Sequence, residues 1–353
     1  MSRFWSPVVS QLTPYVPGEQ PKIDKLIKLN TNENPYGPAP KAIAAMQASV
    51  GDALRLYPNT ESHLVQDAVA RFYGIAPEAV FVGNGSDEVL ALAFAGLLKH
   101  DRPRLFPDIT YSFYPVYCGL YGIDSIPVPL DENYAIRVDD YAKENGGIII
   151  ANPNAPTGLL SPLQNIEALL QQHPDQPVVI DEAYIDFGGE SAVPLIAKYP
   201  NLLVVQTFSK SRQLAGARLG LAMGNAALIA DLNRVKFSLN PYNINRLTLK
   251  AGQAALEDTA YFDRTRAAIV DTRAWTKQQL EQRGFAVLDS RSNFLFASTD
   301  RKDGGTLYKE LKKNGILVRH FDAPRIQNWL RITIGTPEQM QTFMETLDKI
   351  MEE

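Results

Sequence analysis

The chain has 353 residues, 45% apolar and 21% charged, which is enough for two domains around a large buried core. A net charge of −4, from 35 Lys plus Arg against 39 Asp plus Glu, gives no basic footprint for nucleic acid. Cys118 is the single cysteine, so an internal disulfide and a Cys-rich zinc site are excluded, no metal is expected, and the thiol fits a reducing compartment.

The opening MSRFWSPVVSQLTPY has neither a basic n-region nor an apolar h-region. No apolar run approaches the ~18 residues of a membrane span. The chain therefore reads as cytoplasmic, with no membrane partner. Residues 1–35 form an extended arm, because Pro7, Pro14, Pro17, Pro21 and Pro35 interrupt any helix. Helical patterns follow at Pro38–Val50, stopped by Gly51, and at Glu61–Tyr73, which places Leu64, Val65, Ala68, Val69 and Phe72 on one face. A short strand at Ala79–Val82 leads through a glycine turn into a helix over Asp87–Leu98.

Apolar strand patterns then come at Gly147–Ala151, Val178–Ile180, Leu202–Gln206 and Leu219–Met223, with a helix at Ser161–Gln172 among them. Such alternation predicts an α/β fold, a mostly parallel sheet covered by helices on both faces. Ligands of such sheets bind beyond the carboxyl ends of the strands. Past Asn225, helices are predicted at Ala226–Lys236 and Thr259–Arg283. Short strands at Ala286–Leu288, Phe294–Ala297, Ile316–Arg319 and Leu330–Ile334 alternate with a helix at Thr306–Asn314, and a last helix starts at Pro337. The expected organisation is an arm at 1–35, a large domain at 36–250 and a smaller α+β domain at 251–353, with a mobile boundary near 245–260.

Four motifs carry chemistry. In Thr207-Phe-Ser-Lys-Ser-Arg-Gln-Leu-Ala-Gly-Ala-Arg-Leu-Gly220, Lys210 follows an apolar strand, flanked by hydroxyls and with Arg218 eight residues on. A lysine held at a strand end near other cations is eased toward the neutral amine that a Schiff base requires. Thr207, Ser209 and Arg218 are suited to hold a phosphate. In Val178-Val-Ile-Asp-Glu-Ala-Tyr184, the carboxylate of Asp181 leaves a buried strand and needs a cationic partner, such as a pyridinium. Gly83-Asn-Gly-Ser-Asp-Glu88 opens a helix, either as an anion site or as a plain turn capped by Ser86. The dinucleotide fingerprint fails at Glu88. Asn152-Pro-Asn-Ala-Pro-Thr-Gly158 is a turn after a buried strand.

In order and spacing, these motifs resemble the fold-type I aminotransferases of the aspartate aminotransferase superfamily. The likeness extends from Leu29-Asn-Thr-Asn-Glu-Asn-Pro35 and Tyr57-Pro58 to Leu330-Arg-Ile-Thr333, and is nearest to the histidinol-phosphate aminotransferase family. The resemblance implies pyridoxal 5′-phosphate (PLP) as cofactor, bound in the large domain. Lys210 would anchor it as a Schiff base and then move a proton between substrate and cofactor. Asp181 would pair with its ring nitrogen and Tyr184 with its phenolic oxygen. Gly85, Ser86, Thr207, Ser209 and Arg218 match the phosphate cradle, Asp87 a further cofactor-binding position, and Tyr111 the stacking aromatic.

By the same resemblance, Tyr57 reaches the neighbouring subunit's cofactor, which implies a homodimer with shared active sites. Arg331 clamps the substrate carboxylate, while Arg319, Tyr15 and Asn32 lie near its distal group. One departure stands out. The superfamily places Asn before Pro-Thr-Gly, and here Ala155 stands there. Asn154 or Asn152 takes over the contact to the ring oxygen, or Tyr184 serves alone.

The implied activity is a reversible ping-pong transamination, with a small-molecule amino donor and keto acceptor: L-histidinol phosphate plus 2-oxoglutarate to imidazole-acetol phosphate plus L-glutamate. Rivals on the same cofactor are an aromatic amino-acid aminotransferase and a threonine-phosphate decarboxylase. A cofactor-binding regulator is disfavoured, since about 35 residues before the helical core leave no room for a DNA-binding module.

Overall fold

The computed structural model describes residues 3–21 and 26–352. Residues 1, 2 and 22–25 of the expected arm, and residue 353, lie outside them.

The first half alternates strand and helix. In chain order it runs α1 (Pro7–Gln11), β1 (Ile27–Lys28), α2 (Pro40–Ala48), α3 (His63–Tyr73), β2 (Val80–Gly83), α4 (Gly85–Gly96), β3 (Arg104–Pro107), α5 (Tyr114–Tyr121) and β4 (Ser125–Val128). It continues through β5 (Ile148–Ala151), α6 (Leu163–Gln172), β6 (Val178–Asp181), β7 (Leu202–Thr207), β8 (Gly220–Gly224), α7 (Ala226–Leu239) and α8 (Arg246–Glu257). Seven strands form one sheet in the order β2-β8-β7-β6-β5-β3-β4. Only β8 runs against its neighbours.

Strands β5, β6 and β7 are buried along their whole length, which explains their unbroken apolar runs. Successive residues point to opposite faces. Ile148, Ile150, Val178, Ile180, Leu202 and Val204 pack with α3, α6 and α8 on one side. Ile149, Val179, Leu203 and Val205 pack with α4, α5 and α7 on the other. Strands β3 and β4 do not show as strand patterns in the sequence, because Arg104, Pro107 and Pro127 break them. β4 is the edge strand, where Pro127 is tolerable, and Pro107 is the last residue of β3. The buried Arg104 guanidinium is satisfied by the carbonyls of Leu98, Pro103 and His100 near the end of α4.

The remainder comprises α9 (Thr259–Gln282), β9 (Ala286–Val287), β10 (Phe294–Ser298), α10 (Gly304–Lys313), β11 (Ile316–Leu317), β12 (Arg319–His320), β13 (Trp329–Thr333) and α11 (Pro337–Glu352). A four-stranded sheet, β12-β13-β10-β9, is antiparallel throughout. Its apolar face packs on α9, α10 and α11. A boundary at residue 250 falls inside α8, whose buried Leu249, Ala251, Ala255 and Leu256 join the core of the large sheet. The expected arm is not uniformly extended: α1 is helical, and β1 pairs in parallel with β11. Among the described residues, no helix is long and apolar enough to cross a membrane.

Candidate active site

A cavity of about 480 Å³ opens where Ala151, Asp181 and Thr207 end β5, β6 and β7. Ser86 and Asp87 in the first turn of α4 line it, as do Lys210, Arg218, Arg319 and Arg331. Tyr15, Pro17, Gly18 and Gln20 of the arm line it as well. Strand ends converge here because parallel neighbours finish on the same edge, so residues far apart in sequence meet.

Asp181 is buried at the end of β6. Burial pushes its carboxyl up from the ordinary range to about 6, while hydrogen bonds from Tyr114 Oη (2.9 Å) and Ala183 N (3.2 Å) pull the other way. A desolvated carboxylate turned to a cavity suits a cationic N–H partner. Lys210 follows β7 directly. Asn34 Nδ2 donates to its carbonyl at 2.8 Å, and its Nζ donates to the Thr31 carbonyl at 3.3 Å. That amine lies 5.8 Å from the centre of the Tyr184 ring. Tyr184 packs edge-on against Phe294 at 5.1 Å, and its hydroxyl accepts from Asn32 Nδ2 at 2.9 Å.

The opposite end of the cavity is built for an anion. α4 begins at Gly85, ahead of the expected start at Asp87, so Ser86 and Asp87 bring first-turn N–H groups to the cavity. Gly85 has φ +77, and a Cβ there would overlap the Arg218 guanidinium. A Cβ at Gly220 would strike the backbone of Gly85 and Ser86, so both positions demand glycine. Arg218 Nη2 meets Asp87 Oδ2 at 2.8 Å, and Asp87 Oδ1 accepts from Tyr111 Oη at 3.1 Å. Thr207 Oγ1 donates to Ser209 Oγ at 3.0 Å and accepts from the Ser209 N–H at 3.1 Å. The Tyr111 ring lies on the cavity wall, edge-on to Tyr114 with ring centres 5.6 Å apart.

At the small-sheet side, Arg319 and Arg331 stand directly opposite each other on β12 and β13. Burial lowers the Arg331 pKa, its Nη2 donates to the Asn30 carbonyl at 2.9 Å, and its buried Nε has no partner. Neither arginine has a carboxylate within ion-pair distance among the described residues. Like charges placed opposite each other are destabilising unless an anion lies between them. Tyr15 reaches the cavity from the arm and packs on Phe113 and Tyr111, with ring centres 4.8 and 6.3 Å away.

Three expected residues lie elsewhere or are spent. Asn154 does not line the cavity: its Nδ2 donates to the Ile109 carbonyl at 2.9 Å and to Thr157 Oγ1 at 3.1 Å, and its Oδ1 accepts from Thr110 Oγ1 at 2.9 Å. The Asn152 amide is used up on the Ser161 backbone. Ala155 therefore presents a methyl, and neither flanking asparagine replaces an amide there. Tyr57 is 77% exposed, outside its own chain's cavity, and stacks on Tyr242 at 4.4 Å. The sequence reading missed Tyr114, although it follows the singled-out Tyr111 by three residues, about one helical turn. It also missed Thr31 and Asn34, which lie inside the quoted 29–35 motif.

The profile described as "Aminotransferase class I and II" matches residues 24–347. The chain is 58% identical over 347 residues to histidinol-phosphate aminotransferase 1 of Pseudomonas aeruginosa, covering 98% of this chain and 99% of that one. It is 56% identical over 355 residues to the histidinol-phosphate aminotransferase of Aromatoleum aromaticum, covering 99% and 100%. In fold it resembles the crystal structure of histidinol-phosphate aminotransferase from Sinorhizobium meliloti in complex with pyridoxal-5′-phosphate (TM-score 0.91, 22% identity, 100% and 98% covered). It also resembles L-threonine-O-3-phosphate decarboxylase from Porphyromonas gingivalis (TM-score 0.78, 22% identity, 93% and 100% covered).

Proposed function

This chain belongs to the aminotransferase class I and II family, and from that premise we propose that it transfers the amino group of L-histidinol phosphate to 2-oxoglutarate with bound PLP. The observation that carries this is the meeting of Asp181, Lys210 and Arg218 in one cavity.

The residues present fit the cofactor. Buried Asp181 would take the ring N–H and keep it charged, which would offset the cost of burying the carboxylate. The first turn of α4, with Ser86, Ser209, Thr207 and Arg218, takes the phosphate. Tyr111 and Tyr184 line the cavity, where Tyr111 would cover a ring face and Tyr184 would donate to the phenolic oxygen. When bound, the cofactor supplies a sink for the electron pair released at the substrate's Cα.

Lys210 Nζ is the covalent anchor. As a free amine, Nζ would take the substrate Cα proton as general base and return a proton on the cofactor side. Asp181 holds its negative charge at the ring nitrogen throughout. Arg331 and Arg319 bind the substrate's anionic groups; a guanidinium fork matches both carboxylate and phosphomonoester, so one pocket accepts both partners of a two-step exchange. The high-identity relatives favour histidinol phosphate over aromatic amino acids and threonine phosphate.

The working unit we propose is a cytoplasmic homodimer. Leu54, Leu56 and Tyr57 are exposed, Tyr57 stacks on Tyr242, and Leu239 is 70% exposed at the end of α7. Covering them with a second copy brings Tyr57 to the neighbouring cavity. The deciding experiment for substrate is a set of half-reactions on the purified holoenzyme, followed by absorbance. Histidinol phosphate and glutamate are expected to convert the spectrum, with phenylalanine and threonine phosphate far slower. A spectrum that phenylalanine converts and histidinol phosphate leaves untouched rules the substrate assignment out.

A further inference from the structure

Asn32 is buried where the chain passes the end of β13, in the left-handed region at φ 56. Its side-chain amide is held by Thr333 Oγ1. That hydroxyl accepts from the Asn32 N–H at 3.0 Å and donates to Asn32 Oδ1 at 3.1 Å. The NH2 group is left facing Tyr184, to whose oxygen it donates at 2.9 Å. The carbonyl of Asn32 is fixed in turn by Asn293 Nδ2 at 2.9 Å.

The Tyr184 oxygen is thus an acceptor from Asn32, and its own proton is free to be donated into the cavity that it lines. A hydroxyl that accepts a hydrogen bond is polarised into a better donor. On the other wall Ala155 offers only a methyl, and Asn152 and Asn154 are spent on backbone and Thr partners. Lys210 and Arg331 are the cations near the Tyr184 ring and hydroxyl, and neither donates a hydrogen bond to it.

We propose that Asn32 is a positioning residue which turns the Tyr184 proton toward the cofactor's phenolic oxygen. It does so on a side of the cavity remote in sequence from Ala155. This rests on the reading of Tyr184 given above. It also revises the expectation that Asn32 serves the substrate's distal group.

The test is a pH titration of the bound cofactor's visible absorbance in the holoenzyme. Tyr184→Phe removes a donor from an oxygen that then holds its neighbouring proton more tightly, so the apparent pKa moves up. Asn32→Asp keeps size, backbone tolerance and the Thr333 contact but presents an acceptor to Tyr184. It is expected to move the pKa up by at least half the Tyr184→Phe shift. Asn32→Gly, unstrained at positive φ, moves it less in the same direction. In the Tyr184→Phe background Asn32→Gly adds no further shift, and Asn32→Asp adds only the smaller shift of its own charge.

Asn32 variants that titrate as the wild type overturn the inference alone. So does an Asn32→Gly shift that adds fully to that of Tyr184→Phe, since Asn32 then acts independently of Tyr184. An unshifted Tyr184→Phe protein overturns the role of Tyr184, and the inference with it.

Discussion

Tyr114 Oη donates to Asp181 Oδ2 at 2.9 Å, with Asp181 lining the cavity and Tyr114 buried behind it. That bond favours the ionised carboxylate against the burial that pushes its pKa to about 6. Tyr114→Phe therefore makes Asp181 harder to ionise and weakens PLP binding at pH 7. A hydrogen bond to a charged group contributes about 1.5 kcal/mol or more, so roughly a tenfold loss of affinity is expected. Titration of the cofactor-free protein by fluorescence measures it. An unchanged affinity would show that the phenol does not sustain the charge.

The same carboxylate makes stability depend on pH. Its folded pKa of about 6 lies above the unfolded value of ~3.9. Between those values the folded state holds the proton and the unfolded state has lost it, so stability falls as pH rises. The loss is complete above pH ~6 and amounts to an order of 3 kcal/mol. Glu182, buried beside it and raised to about 7, acts in the same direction. Cofactor-free wild type is expected to melt lower at pH 7 than at pH 5, and Asp181→Asn to lose less over that window. Added PLP should raise the melting temperature more at pH 7 than at pH 5. Parallel melting curves for the two proteins would contradict the assignment.

Arg218 has room for its guanidinium only because position 85 is glycine. Arg218→Ala is expected to weaken PLP by about a hundredfold, taking ~3 kcal/mol for a charge-assisted contact. Pyridoxal, which lacks the phosphate, should bind both proteins alike. If both ligands lose affinity equally, Arg218 supports the cavity instead of reading the phosphate.

For assembly, Leu239→Asp puts a charge on an exposed apolar face at the end of α7. Sedimentation of the wild type should give a dimer and of the variant a monomer with looser cofactor binding. A wild-type monomer with full activity would remove the shared-site proposal.

Much of this molecule was legible because buried strands write themselves as apolar runs. Residues 148–151, 178–181 and 202–207 are unmistakable for that reason. Strands β3 and β4 were not, since an arginine satisfied by carbonyls and two prolines disguise them. The site divides in the same way. Lys210, Asp181 and Arg218 lie in local motifs and could be named from spacing. The partners of Asn32, Asn34 and Arg331 are hydrogen bonds across more than a hundred residues, which no local pattern encodes. Asn154 misled because a turn asparagine serves its own loop as readily as a ligand.

The pairing of Ile27 and Lys28 with Ile316 and Leu317 has a consequence for biosynthesis. The ribosome makes the first of these strands long before the second, so the segment that follows it must wait for its partner. That segment carries Thr31, Asn32 and Asn34, on which Lys210 and Tyr184 depend. The large sheet can assemble on the emerging chain, but the order of synthesis makes completion of this cavity a later event, after residues 316 and 317 have left the exit tunnel.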